Sequence, residues 1–378
     1  MRQDWLRFDR NELAGAFGDL GTDLPLVVGM ILAAGLDSAS ALIMFGAMQI
    51  LTGLVYGMPM PVQPLKAMAA IVIAQKLSGD VLFAGGLAIG VIMFILAVTG
   101  LIDWLARVVP KTVVRGIQFG LGLQLAVLAV KDYVRADGPS GYALAAVGFV
   151  ITVALMGNRR FPAALFVVAV GVVYAFATKL DLAAVQAGIG WRLPELHVPT
   201  RDALLTGLVV LAIPQIPLSL GNSILATRQV AEDFFPERRL TIRRLSFTYS
   251  LMNLLNPWFG GIPTCHGSGG MAGHYTFGAR TGGSVVIEGA FYLVLGLLFS
   301  GSFASVIDVF PKPILGVILA FEGLALVMLV RDIAAAKRDL LIAALVGLMA
   351  VGLPYGYALG LMAGCALVYL WRDREELK

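Results

Sequence analysis

Apolar runs of 15–26 residues, broken by short polar or Gly/Pro stretches, recur from one end of the chain to the other. A membrane-crossing helix needs about 20 such residues. The pattern predicts fourteen segments at 11–36, 38–57, 61–77, 80–100, 109–131, 140–157, 161–179, 203–227, 240–258, 264–278, 283–302, 312–330, 338–353 and 355–371. The third and tenth are short and crowded with Pro or Gly. The longest polar stretch, 181–201, divides the rest into a first unit, 1–180, and a second, 202–378, of seven segments each. The expected fold class is an all-α polytopic membrane protein.

The two units echo each other. VVPKTVVRGIQFGLGLQLAVLAVKD, from Val108 to Asp132, parallels VFPKPILGVILAFEGLALVMLVRD, from Val309 to Asp332. Nearly the same offset superposes Pro61 on Pro263, each opening a broken segment. An odd number of segments per unit puts the second upside down, which is the inverted repeat of secondary transporters.

Charge fits this count. With the N-terminus in the cytoplasm, 20 of the 28 Lys and Arg fall on the cytoplasmic side, from Arg2, Arg7 and Arg10 to Arg372, Arg374 and Lys378. Seven fall outside, and Lys66 lies within a segment. That asymmetry obeys the positive-inside rule and places both termini in the cytoplasm. It also explains the net charge of +4 without a nucleic-acid partner. Composition agrees: 58% hydrophobic and 14% charged residues exclude an ordinary soluble enzyme or a disordered protein. The charged N-terminus has no uninterrupted apolar core, so it reads as a short surface segment rather than a signal peptide. Cys265 and Cys365 form neither a disulfide framework nor a metal motif.

Chemistry concentrates at the two broken segments. In GMPMPVQPLKAMAA, Pro59, Pro61 and Pro64 cannot donate backbone hydrogen bonds, so a full helix cannot pass. A half-helix can start at Pro64, and its free N–H groups and positive dipole end suit an anion. Gln63 and Lys66 lie beside that end. Lys66 either touches substrate, pairs with an acid or snorkels to the interface. In GGIPTCHGSGGMAGHYTFGAR, Gly267, Gly269 and Gly270 allow close approach and unusual dihedrals, and Ser268 offers a hydroxyl. His266 is either a hydrogen-bonding site residue or a packing histidine. The repeat aims the two positive helix ends at one small anion. Neither a zinc signature nor a nucleophile elbow is present, so no enzyme, metal or cofactor is expected.

Acidic and amide residues complete the candidates. In ELAGAFGDLGTDLP, Glu12 reads as solvated near the interface. Asp19 and Asp23 are either coupling-ion residues for H⁺ or Na⁺, partners of Lys66, or a helix cap at the GDLG break. Gln215, Ser219 and Asn222 share a helical face and serve either the site or helix–helix association. Glu322 and Glu288, alone in apolar runs, either titrate or pair with a neighbouring helix.

FGDLGTDLP, MPVQPLKAMAA, IPQIPLSLGNS and GGIPTCHGSGGMAGHYTFGARTGG resemble the molybdate transporter family, a branch related to the sulfate permeases. The resemblance implies a uracil-permease-like fold with a core and a gate domain, and a tetrahedral oxyanion substrate, molybdate first. It places the site at Gln63, Pro64 and Lys66, and at His266, Gly267, Ser268 and Gly269. It also implies dimerisation through the gate domain, segments 5–7 and 12–14. The regulatory domain that follows the membrane part of sulfate permeases is not expected, because the chain ends seven residues after Trp371. The competing readings are a sulfate or other anion transporter or channel on the same fold, and a nucleobase–proton symporter, which lacks its paired carboxylates here. An ATP-driven pump is excluded by the absence of a P-loop. The expected place is a bacterial inner or plasma membrane.

Overall fold

The computed structural model describes residues 5–16, 18–156, 163–178 and 182–375. The helices are α1 (Arg10–Ala16), α2 (Leu20–Ala34), α3 (Ser38–Tyr56), α4 (Lys66–Gln75), α5 (Gly79–Thr99), α6 (Leu101–Val108), α7 (Lys111–Leu128), α8 (Gly138–Ala154), α9 (Ala163–Thr178) and α10 (Leu182–Ala187). After the connector come α11 (Arg201–Phe234), α12 (Ile242–Leu255), α13 (Ser268–Thr276), α14 (Gly283–Asp308), α15 (Lys312–Met328), α16 (Lys337–Gly352) and α17 (Gly356–Glu375). Among the described residues, six helices are long and apolar enough to cross a membrane: α3, α5, α7 with its π-helical extension to Tyr133, α11, α14, and α15 with its extension to Ile333. Five shorter apolar helices accompany them.

Local chemistry sets the boundaries. Asp37 accepts from the Ser40 N–H at 2.7 Å and caps α3, and Thr241 caps α12 through the Arg244 N–H at 3.1 Å. Gly57 closes α3 in a left-handed conformation that a side chain would strain. α11 contains Pro214 and Pro217, which have no N–H to give to the ladder. It stays continuous through π-helical turns at Gly207–Ala212 and Ser219–Ala226.

Glycines bring the long helices together. A methyl on Gly46 of α3 would come within 2.6 Å of the Gly289 carbonyl oxygen of α14, and one on Gly53 within 2.7 Å of the Gly282 oxygen. One on Gly323 of α15 would come within 2.6 Å of the Gly122 oxygen of α7. Backbones this close gain dispersion contacts that larger residues would prevent, which matters where hydrophobicity cannot drive association. The connector leaves α10 and lies across the elements of both units. Its Gly190 and Arg192 N–H groups donate to Leu298 and Leu297, each at 2.9 Å, and His197 N–H donates to Trp258 at 2.8 Å.

Three expectations need correction. The chain is not wholly helical, because Val62–Pro64 (β1) and Thr264–His266 (β2) form an antiparallel pair. The first segment is two helices, interrupted at Gly18–Asp19. Glu12 is not solvated: it is fully buried, and its carboxylate accepts from the N–H groups of Arg280 and Thr281, both at 2.9 Å, and Ser284 at 3.1 Å. The positive end of α14 explains why a carboxylate settles there.

Candidate functional site

Both broken segments cross the middle of the fold as strand followed by half-helix. Val62 pairs with His266, Gln63 with Cys265 and Pro64 with Thr264, and the Leu65 N–H continues the ladder to the Pro263 oxygen at 3.0 Å. α4 starts at Lys66 and α13 at Ser268, so two helix N-termini emerge from opposite ends of one small antiparallel sheet. Side-chain amides hold each strand. Gln49 accepts from the Val62 N–H at 2.8 Å and donates to its carbonyl at 3.0 Å. Asn253 treats Thr264 the same way, at 2.9 and 2.6 Å. Backbone groups that sheet and helix leave over at this depth are thereby satisfied.

A cavity of about 200 Å³ opens at the start of α4, lined among others by Lys66, Gln118, Gln215, Asn222, Ser223 and Cys265. Lys66 is half-buried and has no ion-pair partner among the described residues. Gln215 Oε1 accepts from the N–H groups of Ala67 and Met68, at 3.0 and 3.2 Å, and its Nε2 donates to Ser219 Oγ at 3.1 Å. Gln215 therefore caps α4 as well as lining the cavity. Ser268, at the tip of α13, reaches Asn222 Oδ1 through its hydroxyl at 3.4 Å. Gly269 beside it is exposed, with open space where a side chain would be.

A wider cavity of about 580 Å³ shares Gln118, Asn222 and Leu329 with the first and leads out past Lys111 and Arg115. Arg115 grips Asp332 with Nε at 3.0 Å and Nη2 at 2.6 Å, and gives its Nη1 to Gln118 at 2.8 Å. Lys111 meets the same carboxylate at 2.8 Å. The inner site is thus reached through a basic vestibule, which draws anions.

The structure gathers Lys66, Gln215 and Asn222 around the cavity, with Ser268 attached through Asn222. Gln63, Pro64, His266 and Gly267 lie in the sheet or at its edge. Gln63 is 1% exposed and gives its Nε2 to both Asp19 oxygens at 2.7 Å. His266 is fully buried, 2.7 Å from Thr248 Oγ1 and edge-on to Tyr56. Gly267 and Gly270 do not use dihedrals reserved for glycine; they permit contact. A methyl on Gly267 would overlap the Gln63 side chain, 2.8 Å from its Cγ, and one on Gly270 would overlap Asp19, 2.6 Å from its Cγ. Asp19 and Asp23 sit one turn apart on the inner face at the start of α2, both buried. Glu322 falls on α15, and its side chain lies outside the described residues. Sequence reasoning missed Gln118, Ser223 and Cys265. An amide in the apolar run of α7, which also carries Gln124, was the available signal for Gln118.

The family model described as "Molybdate transporter of MFS superfamily" matches residues 11–125 and 207–326, more than half of the chain. Molybdate transporter 1 of Arabidopsis thaliana is 36% identical over 407 residues, covering 95% of this chain and 88% of the relative. Molybdate transporter 2 of the same plant is 34% identical over 404 residues, covering 93% and 86%. Among solved structures, the transmembrane domain of the cyanobacterial bicarbonate transporter BicA superposes with a TM-score of 0.66 at 18% identity, covering 91% of this chain and 97% of that one. The murine anion transporter Slc26a9 in its inward-facing state superposes with a TM-score of 0.69 at 14% identity, covering 97% and 68%. At those identities the structures establish the fold, and the sequence matches establish descent: this chain is an integral membrane protein that belongs to the molybdate transporter family.

Proposed function

We propose that the protein is a secondary-active importer of a tetrahedral oxyanion, molybdate first, which binds in the cavity between the starts of α4 and α13. The observation that carries this is the lining itself. One lysine without a carboxylate partner, three amides, a hydroxyl and a thiol surround a small space at the tip of a half-helix. A dianion at membrane depth needs positive charge and many donors, since an uncompensated charge there is very costly. Lys66 supplies one charge, and the two helix ends supply about half a charge each. Relatives named as molybdate transporters support the choice of ion.

The fourteen segments form two inverted repeats, and alternating access moves one half-helix-bearing domain against the rest. The paired strands, the matching amide clamps of Gln49 and Asn253, and the packing of α3 on α14 and α5 on α12 support this reading. Both termini lie in the cytoplasm, and the vestibule at Lys111 and Arg115 opens there. The chain acts as a homodimer through the gate helices, and a coupling ion, H⁺ or Na⁺, engages the buried carboxyls Asp19 and Asp23 beside the site. Uptake of labelled molybdate into proteoliposomes, in competition with tungstate and sulfate, tests the function. Molybdate uptake equal to that of empty vesicles would overturn it.

A further inference from the structure

Beneath α13 lies a buried polar cluster that the anion cavity does not use. Asp23 is fully buried, and neither of its carboxyl oxygens has a hydrogen-bond partner. Glu288, on α14, is 3% exposed. Its Oε2 lies 3.1 Å from His274 Nε2, and its Oε1 has no partner. The other ring nitrogen of His274 is 3.0 Å from Ser284 Oγ. Tyr292, one turn beyond Glu288, is fully buried with an unpartnered hydroxyl. The remaining titratable groups that act on this cluster are Asp19, Lys66, Cys265 and Glu12.

The three inner carboxyls are not equivalent. Asp19 receives Gln63 Nε2 on both oxygens and sits against Gly270 in the first turn of α13, where the helix dipole favours an anion. Asp23 has no donor, and Glu288 has only the imidazole. An ionised carboxylate without donors in such a place is prohibitively unstable, and the group neutralises instead. Nor do these groups converge as ligands: among the described residues, no three of His, Cys, Asp and Glu gather where a metal ion would sit.

We propose that Asp23 and the Glu288–His274 pair each hold one transported proton, making the protein a two-proton symporter of a dianion. This rests on the oxyanion reading above. Two protons bind to the two carboxyl sites as one dianion enters the cavity, and all three leave on the other side, so no net charge moves. Gln63 links the two sites. Its amide nitrogen holds Asp19, one turn from Asp23, and its side chain packs against Gly267, which opens α13. A change of charge in the cluster therefore shifts the tip of the anion site.

The test uses purified full-length protein in proteoliposomes, with molybdate as probe, an internal pH dye and potentials set by K⁺ and valinomycin. Wild type is expected to take up two protons per molybdate, to ignore the potential, and to accumulate roughly 100-fold per pH unit. Asp23→Asn and Glu288→Gln should each carry one proton. Accumulation then falls to about tenfold per pH unit and drops about tenfold for every 59 mV of inside-negative potential. Molybdate counterflow, which needs no net proton movement, should persist in both variants. A wild-type proton ratio retained in both variants, or wild-type uptake driven by Na⁺, would overturn the proposal. Absence of wild-type counterflow would instead overturn the oxyanion reading. If Glu288→Gln does not fold, Asp23→Asn decides alone, because Asp23 has no hydrogen bond to lose.

Discussion

Gly269 and Gly270 are neighbours in the first turn of α13, yet alanine at each should do opposite things. At Gly270 the new methyl would overlap the Asp19 carboxylate and stand 2.7 Å from Pro61 Cγ. Proline cannot yield, so Asp19 must swing away and release the 2.7 Å bonds from Gln63. Two hydrogen bonds to a charged group together contribute about 3–6 kcal/mol. Alanine regains about 1 kcal/mol over glycine within a helix. Gly270→Ala should therefore lose about 2–5 kcal/mol. At Gly269 nothing lies within 4 Å of the added methyl, so only the gain from helix propensity remains. That same open space is where the anion approaches the helix tip, so Gly269→Ala should keep or raise the melting temperature while weakening molybdate binding. Thermal melting of the detergent-purified variants, with binding measured on the same samples, separates the two effects. A Gly270→Ala protein that melts like wild type would refute the steric argument. A Gly269→Ala protein with unaltered affinity would refute the placement of the anion at the tip.

Lys66→Met should abolish high-affinity molybdate binding while Lys66→Arg keeps part of it, and equal affinity in all three forms would mean that helix ends and neutral donors suffice. Ser268→Ala should weaken binding by about 1–2 kcal/mol, on the scale of one hydrogen bond to a charged group, read by titration of the purified protein. Asn253→Leu strands the Thr264 N–H and carbonyl in the interior and should cost about 2–6 kcal/mol, visible as a lowered melting transition. Glu12→Gln can no longer accept from three backbone N–H groups as an anion, and its melting temperature should fall although it lies far from the cavity.

The interruptions at Pro59–Pro64 and Pro263–Gly270 were legible because proline and glycine act locally, through a missing N–H or a missing Cβ. The strands within them were not, since three residues are too few to carry an alternation to read. Glu12 looked solvated because its partners, Arg280, Thr281 and Ser284, are some 270 positions away in sequence. Gln63 was legible as the residue that precedes a half-helix; its hydrogen bond to Asp19, 44 positions away, was not. Lys66, Gln215 and Asn222 were identifiable as polar residues in apolar runs. Which faces of α7 and α11 join them, bringing in Gln118 and Ser223, is decided by tertiary packing alone.

The antiparallel pairing of β1 with β2 has a consequence for how the chain is made. Val62 leaves the ribosome about 200 residues before its partner His266, which at about 5–20 residues per second is an interval of roughly 10–40 s. Throughout that interval the first strand sits at membrane depth without its sheet. Gln49, only 13 residues upstream, is already synthesised and holds both the N–H and the carbonyl of Val62. Asn253 is likewise made 11 residues before Thr264. The Gln49 clamp therefore serves as a placeholder during insertion, so Gln49→Leu should lower the yield of inserted protein more than it lowers the melting temperature of the molecules that mature.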